Sequence, residues 1–549
     1  MIYEWYKNKF VGFAIKLQDF ASNNLKICKN AVNIDLHVIV MVLLGDFMSY
    51  VEIINLIFSI ISGVFALATA YYVVFIIIGL FTYKKYPKAK KQHSYGILIC
   101  ARNEDKVIGN LIESIRKAEY PQDKLEIYVL AHNCTDKTAE VAREKGATVF
   151  EYTNSNERTK GYALKKLFEC LNETIDVSKH DGYYVFDADN ILAPDYFDKM
   201  NDAFEYYGMK DTVTSFRNAK NFETNAVSGM YGMLFLNNCV TESRARSVTG
   251  CSTRVQGTGF VFPAEIVKEG WNYVTLTEDW EYTADQILRG RKIRYCNEAE
   301  LFDEQPTTWK IMFRQRIRWA KGHLQVFRKR EKKLFKALFA KKKTEEEKKH
   351  KFSIYDIMVN IFPLYIVSAI LFVAQQVLLA FAPLFQPINI GAYWLNFLIT
   401  SLLGVLAAYI FTAISTAVVL FVERKRVRNM NFEKKLVVCL CMPVFIALNF
   451  VFGFIALFTR HVEWKAIPHV DARNVEDIHK SEETENAKPE ISETLENSND
   501  ETTEIDENSK GKESNKEIGE TEKQEAGTKE TEKDEAKNEK KKSSRKKKN

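Results

Sequence analysis

Nine cysteines are spread over the 549 residues without metal-ligand spacing. A zinc ribbon is therefore excluded, and the cysteines of the soluble part read as small core residues in a reducing compartment. Aromatic residues are missing altogether after Trp464. A stretch such as SEETENAKPEISETLENSND, running on to KKKSSRKKKN, has almost nothing to bury, so residues 466–549 are expected to be a disordered, solvated charged tail. The start lacks a short apolar core followed by a small-residue cleavage site, so no removable signal peptide is expected. The net charge of +6 is a sum over dissimilar parts and points to no nucleic-acid partner.

What the chain does have is apolar length. Four runs, 53–81, 358–381, 393–421 and 436–458, reach the roughly 20 residues that a helix needs to cross a bilayer. The expected division is an interfacial N-terminal segment 1–52, a transmembrane helix 53–82, a soluble domain 92–330, three transmembrane helices within 356–460, and the tail. Basic residues crowd the cytoplasmic flanks of spans. YKKYPKAKK (83–91) follows the first run, ERKRVRNMNFEKK (423–435) separates the third from the fourth, and the link APLFQPINIGA carries no charge. These flanks put the soluble domain in the cytosol of a multi-pass cell-membrane protein.

That domain alternates strand-like and helix-like segments. SYGILICARNE is a continuous apolar run ending in polar residues, as a strand buried on both faces requires. DKVIGNLIESIRKAEYP then places Ile108, Leu111, Ile112 and Ile115 on one helical face. LEIYVLAHNC, TVFEY and GYYVFDADN read as further strands with helical segments between them. The class is α/β, a Rossmann-like, mostly parallel sheet with helices on its faces. Ligands of such sheets bind at the carboxyl ends of the strands. Arg102, Glu104, His132, Asp187 and Asp189 all fall at those ends.

Asp187 and Asp189 repel each other unless a cation lies between them, and without nearby histidine or cysteine they suit a hard cation such as Mg2+ or Mn2+. A hydrated turn and a helix cap are the competing readings. In TLTEDWEYT, Glu278 and Asp279 serve either as the acidic first turn of a helix capped by Thr277 or as a general base; the two are compatible. TTWKIMFRQRIRWAKGHLQVF sets Trp309, Met312, Phe313, Ile317, Ala320, Leu324 and Phe327 on one helical face. Lys310, Arg314, Arg318, Lys321 and Gln325 occupy the other. Such a helix is expected along the bilayer interface with its cations toward the soluble domain, where they either clamp a diphosphate or only anchor lipid.

Four of these features occur in a fixed order: the first strand with ARNED, the D-x-D at Asp187 and Asp189, the TED at Thr277–Asp279, and QRIRW at Gln315–Trp319. In that order, followed by apolar runs, they resemble the membrane-embedded branch of glycosyltransferase family 2, which includes hyaluronan, chitin, cellulose and poly-N-acetylglucosamine synthases. The likeness covers roughly residues 94–328. It implies a GT-A fold, a nucleotide-sugar donor, usually a UDP-sugar, a glycan or glycolipid acceptor, and inversion at the anomeric centre. By position, Asp187 and Asp189 would meet the metal, and Asp279, beside Glu278, would be the base. Lys160, Arg318, Gln315 and Asp187 would hold the diphosphate, with Arg102 and Glu104 beside the donor, and Trp319, Gly257 and Gly259 would face the acceptor. Where many relatives carry an acid beside uracil, this chain reads AHNCTD. The neutral imidazole of His132 still accepts a hydrogen bond from a base edge. With only four spans, a polymer pore would call for an oligomer or a partner.

Overall fold

The computed structural model describes residues 49–341, 344–385, 388–427, 430–462, 467, 469, 471–474, 476 and 477. Residues 1–48 of the expected interfacial segment 1–52 and the tail beyond 477 lie outside the described residues. Helices α1 (Tyr50–Thr69) and α2 (Tyr71–Phe81) come first. The soluble domain then runs through β1 (Tyr95–Ala101), α3 (Ile108–Arg116), β2 (Leu125–His132), α4 (Thr138–Glu144), β3 (Thr148–Tyr152), α5 (Lys160–Thr174) and β4 (Gly182–Asp187). It continues with β5 (Ile191–Leu192), α6 (Tyr196–Tyr206), β6 (Thr212–Ala219), α7 (Ala226–Asn237), α8 (Arg244–Thr249), β7 (Phe260–Pro263), α9 (Ala264–Glu269), α10 (Glu278–Leu288) and β8 (Ile293–Asp303). Five helices follow: α11 (Trp309–Phe339), α12 (Glu345–Ile361), α13 (Leu364–Ala380), α14 (Ile390–Val422) and α15 (Phe432–Phe458).

The strands form one eight-stranded sheet in the order β3-β2-β1-β4-β7-β6-β8-β5. Its first four strands are parallel, with Tyr95 opposite both Leu125 and Gly182. These are the four strands expected from the sequence. β1 is buried along almost its whole length because helices cover both faces. Ile97 and Ile99 pack with Ile108, Leu111, Ile112 and Phe186 on one side, while Leu98 packs with Leu164, Leu167, Phe168 and Tyr282 on the other. Beyond β4 the sheet becomes mixed: β7 runs antiparallel to β4 and β6, β8 is parallel to β6, and β5 is antiparallel to β8. The strand order turns back at β1, between β2 and β4, where an open sheet offers its ligand crevice. Asn103 and Asn133, just past the ends of β1 and β2, have φ of 59° and 55°. Asparagine tolerates this left-handed turn, which bends the chain away from the sheet and over the crevice.

Among the described residues four helical stretches are long and apolar enough to cross a membrane: Tyr50–Phe81, Leu364–Leu384, Ile390–Val422 and Phe432–Phe458. The first starts earlier than expected, at a capping box in which Ser49 and Glu52 satisfy each other's backbone N–H groups. The expectation of a second span from residue 358 is corrected. Residues 358–361 end α12, which packs on the soluble domain, and Pro363 forces Phe362 out of helical geometry before α13 begins. Buried ion pairs tie domain and helices together. Arg246 donates to both carboxylate oxygens of Asp356 at 2.6 and 2.8 Å, and Tyr71 donates to the same carboxylate at 2.7 Å. Arg244 pairs with Glu423 at 2.6 Å. α2 meets the domain through Gly79, where a Cβ would stand 2.0 Å from the Val240 carbonyl oxygen.

Candidate active site

A cavity of about 620 Å3 opens at the carboxyl ends of β1, β2 and β4. It brings together Arg102, Glu104, His132, Lys160, Asp187, Asp189, Gly257, Glu278, Asp279, Gln315, Arg318 and Trp319, which are up to 217 residues apart in sequence (319 − 102). Gly259 is the exception. It is buried, with φ 66°, and a Cβ there would stand 2.0 Å from Leu301 and 2.6 Å from Ser215 Oγ. Its work is to let β7 pass closely over β6 and β8, not to meet a ligand.

Each side chain is aimed by its element. Lys160 opens α5, forms an ion pair with Asp187 and donates to the Gly257 carbonyl at 2.7 Å. Burial works against its charge, but Asp187 and Glu278 outweigh it and raise the ammonium pKa. Asp189 is buried and accepts from the Glu304 N–H at 2.9 Å. Burial opposes its ionisation; the positive charges of His469, Lys220 and Arg217 and the Glu304 N–H prevail and lower its pKa. His132 stacks on Tyr152 with 9° between the rings, and its Nε2 lies 3.0 Å from the Asn133 side-chain amide. Burial holds its pKa below the usual imidazole value, so Nε2 accepts from that amide and the ring is neutral at pH 7.

Glu278 and Asp279 occupy the first turn of α10. Thr277 stands at the N-cap position without a side-chain hydrogen bond, and its Oγ1 is buried without a partner, so the expected cap is not formed. Gly322 of α11 presses on it instead, a Cβ there lying 2.7 Å from the Thr277 side chain. Burial, then the mutual repulsion with Asp279, pushes Glu278 up to about 7. Burial likewise raises Asp279, against the Trp280 N–H and Arg254. Arg318 faces the pair from α11 and donates to the Leu276 carbonyl at 3.2 Å.

The expected division of α11 into an apolar and a polar face is corrected at Lys321. The helix is clamped between α10, α12 and α15. Met312 and Leu324 are buried, and Lys321, placed on the polar face, is buried too and donates to the Ala456 carbonyl of α15 at 3.1 Å. A second correction concerns the chain after α15. Part of the stretch expected to be disordered packs into the cavity. Ile467 and His469 line it, and His469 Nδ1 lies 2.9 Å from Glu104 and its Nε2 4.0 Å from Asp189. Arg473 pairs with Glu223 at 2.7 Å, and Lys220 donates to the Asp471 carbonyl at 2.9 Å. Burial, offset in part by His469, pushes Glu104 up to about 7. Two arginines of the cavity also escaped the sequence reading. Arg217 pairs with Asp303 and donates to the Gln256 carbonyl at 2.7 Å, while Arg254 lies 4.6 Å from the Trp280 ring centre. A charged residue inside the apolar strand TVTSFRNA was the available signal for Arg217.

Asp187 and Asp189 present oxygen donors only, on one cavity wall, as a hard divalent cation requires. Among the described residues no group of three His, Cys, Asp or Glu side chains surrounds a metal position. The pair therefore fits an ion that takes its remaining ligands from a bound diphosphate or water. Residues 93–322 match the family model described as glycosyltransferase like family 2. Those residues are a family 2 glycosyltransferase domain. Curated relatives agree. The probable glycosyltransferase YdaM of Bacillus subtilis is 26% identical over 253 residues, 43% of this chain and 57% of that protein. The beta-monoglucosyldiacylglycerol synthase of Nostoc sp. is 27% identical over 237 residues, 42% of this chain and 49% of that protein. The poly-beta-1,6-N-acetyl-D-glucosamine synthase of Staphylococcus epidermidis is 25% identical over 247 residues, 44% of this chain and 57% of that protein. The match thus spans about half the length of these relatives.

Proposed function

We propose that this chain is an inverting, membrane-anchored glycosyltransferase that moves a sugar from a nucleotide-activated donor, a UDP-sugar in the family's usual form, to a hydroxyl acceptor. The observation that carries it is the meeting, in one cavity, of the buried Glu278 and the half-buried Asp279, both held above their usual range, with the cations and the D-x-D pair suited to a diphosphate. Asp279, with Glu278 beside it, takes the proton of the attacking hydroxyl. The freed oxygen attacks the anomeric carbon from the face opposite the diphosphate, the bond to the phosphate oxygen breaks, and the configuration inverts. Lys160 and Arg318 receive the charge that develops on the departing diphosphate, Lys160 exchanging its ion pair with Asp187 for the phosphates. His132 faces the nucleobase, Arg102 and Glu104 flank the donor, Gln315 holds the diphosphate at the acceptor end, and Trp319 and Gly257 face the acceptor. Asp187 and Asp189 would hold Mg2+ or Mn2+, which supplies further positive charge against the leaving group when bound.

The family likeness favours extension of a polysaccharide. Single addition to a lipid is the second reading, and the apolar wall described below favours it. A silent binding protein would have no use for the two raised carboxylates. The basic segments 83–91 and 423–435 put the domain in the cytosol. The test is turnover of a panel of nucleotide sugars by the purified chain in lipid vesicles. Nucleoside diphosphate release that stops with a chelator, returns with manganese or magnesium, and yields β-linked product from an α-linked donor is expected. Retained configuration, or turnover indifferent to the chelator, would overturn the reading.

A further inference from the structure

The cavity does not end at the sheet. Beyond Trp319 its wall is made by the membrane-length helices, with Tyr365 of α13 and Ile446, Asn449 and Phe450 of α15. Ile446 and Phe450 are one helical turn apart and are 40% and 42% exposed, so a helix long and apolar enough to cross a membrane turns accessible apolar side chains onto the cavity. On this side the cavity is walled by apolar surface of membrane length. At its inner edge, where α11 meets α15, stands Arg316. It is buried, lies 4.7 Å from the Phe445 ring centre, and donates to Asn449 Oδ1. Among the described residues no carboxylate pairs with it. Next to it Gln315 Oε1 is buried without a hydrogen-bond partner. A polar side chain in the membrane-facing part of a bundle marks a path for a polar group, and a buried guanidinium whose only side-chain hydrogen bond here is to an amide still has donors to offer.

Resting on the transferase reading above, we propose that the acceptor is a membrane lipid that enters sideways between α13 and α15. Its hydrocarbon lies along Ile446 and Phe450, and its headgroup oxygens meet Arg316, Asn449 and Gln315. The headgroup hydroxyl gives its proton to Asp279, its oxygen bonds to the anomeric carbon, and the nucleoside diphosphate leaves. A glycan chain on the same path would lay its hydroxyls against Ile446 and Phe450 and leave them unpaired, at a cost that an acyl chain does not meet. Arg316 lies within the Gln315–Trp319 motif, but at a position to which the family pattern gives no role.

The experiment uses the full chain in nanodiscs of phosphatidylcholine carrying either diacylglycerol or phosphatidylglycerol, with a radiolabelled nucleotide sugar. Label is expected in the organic-extractable fraction as a discrete low-mass product, and the two lipids decide between a neutral and an anionic headgroup. Ile446→Trp is expected to raise the KM for the lipid by at least about tenfold, while nucleotide binding, read by thermal shift with UDP, stays unchanged. Asn449→Leu, a change of similar volume that leaves the opening clear, is expected to raise the same KM. Label that is wholly water-soluble and of high mass, with Ile446→Trp indistinguishable from the parent, would overturn the proposal and leave the transferase standing. Absence of any Asp279-dependent diphosphate release would remove both.

Discussion

In the proposed transfer Asp279 acts ionised, and it and Glu278 are both held above the usual carboxylate range, Glu278 at about 7. A base with a raised pKa is protonated, and idle, over a wider stretch of acid pH. The acid limb of the kcat/KM profile should accordingly fall above the ordinary aspartate value of about 4; a limb at or below that value would contradict the assignment. At Gly259 the positive φ and the contact with Leu301 make the opposite kind of demand, one of space. Gly259→Ala should lose about 1–3 kcal/mol of stability, seen as a lower Tm in detergent with the nucleotide affinity of the remaining folded protein unchanged. The sequence could name the chemistry-bearing residues because they end strands or begin helices. It could not separate Gly257 from Gly259, since only the packing of β7 over its neighbours decides which one reaches the cavity.

Elements were legible where burial is two-sided. β1, β2 and β4 read as strands because almost every residue in them is apolar, whereas β8 mixes charges with its core positions and was missed; its Asp303 pairs with Arg217 of the neighbouring β6. The boundary of the second span was misplaced because residues 358–361 are as apolar as a span but serve the packing of α12 on the soluble domain. That packing is fastened by Asp356, which accepts from Arg246 and Tyr71 in a buried setting. Removing one partner strands a buried charge, so Asp356→Ala should destabilise the protein by about 3–5 kcal/mol. A drop in Tm comparable to that of an exposed substitution such as Lys145→Ala would show that the pair is not what joins domain to helices.

For the molecule as a whole, the sequence placed one soluble domain between membrane-length helices but did not foresee how far the two share a cavity. The segment around His469 and Arg473 was read as solvated because its contacts are ionic, with Glu104 and Glu223, and composition registers only what is apolar. Sidedness is open to a direct check. A cysteine introduced at exposed Lys145 should be reached by a membrane-impermeant maleimide only after cells are opened; labelling in intact cells would put the domain outside. The account as a whole stands on Asp279 as the base of a sugar transfer. Its most direct test is the rate of nucleoside diphosphate release by the purified chain and by Asp279→Asn, at saturating donor and metal and with nucleotide binding measured in parallel. The account predicts a loss of at least about 100-fold in the variant with nucleotide binding intact. An equal rate in the two proteins would contradict it.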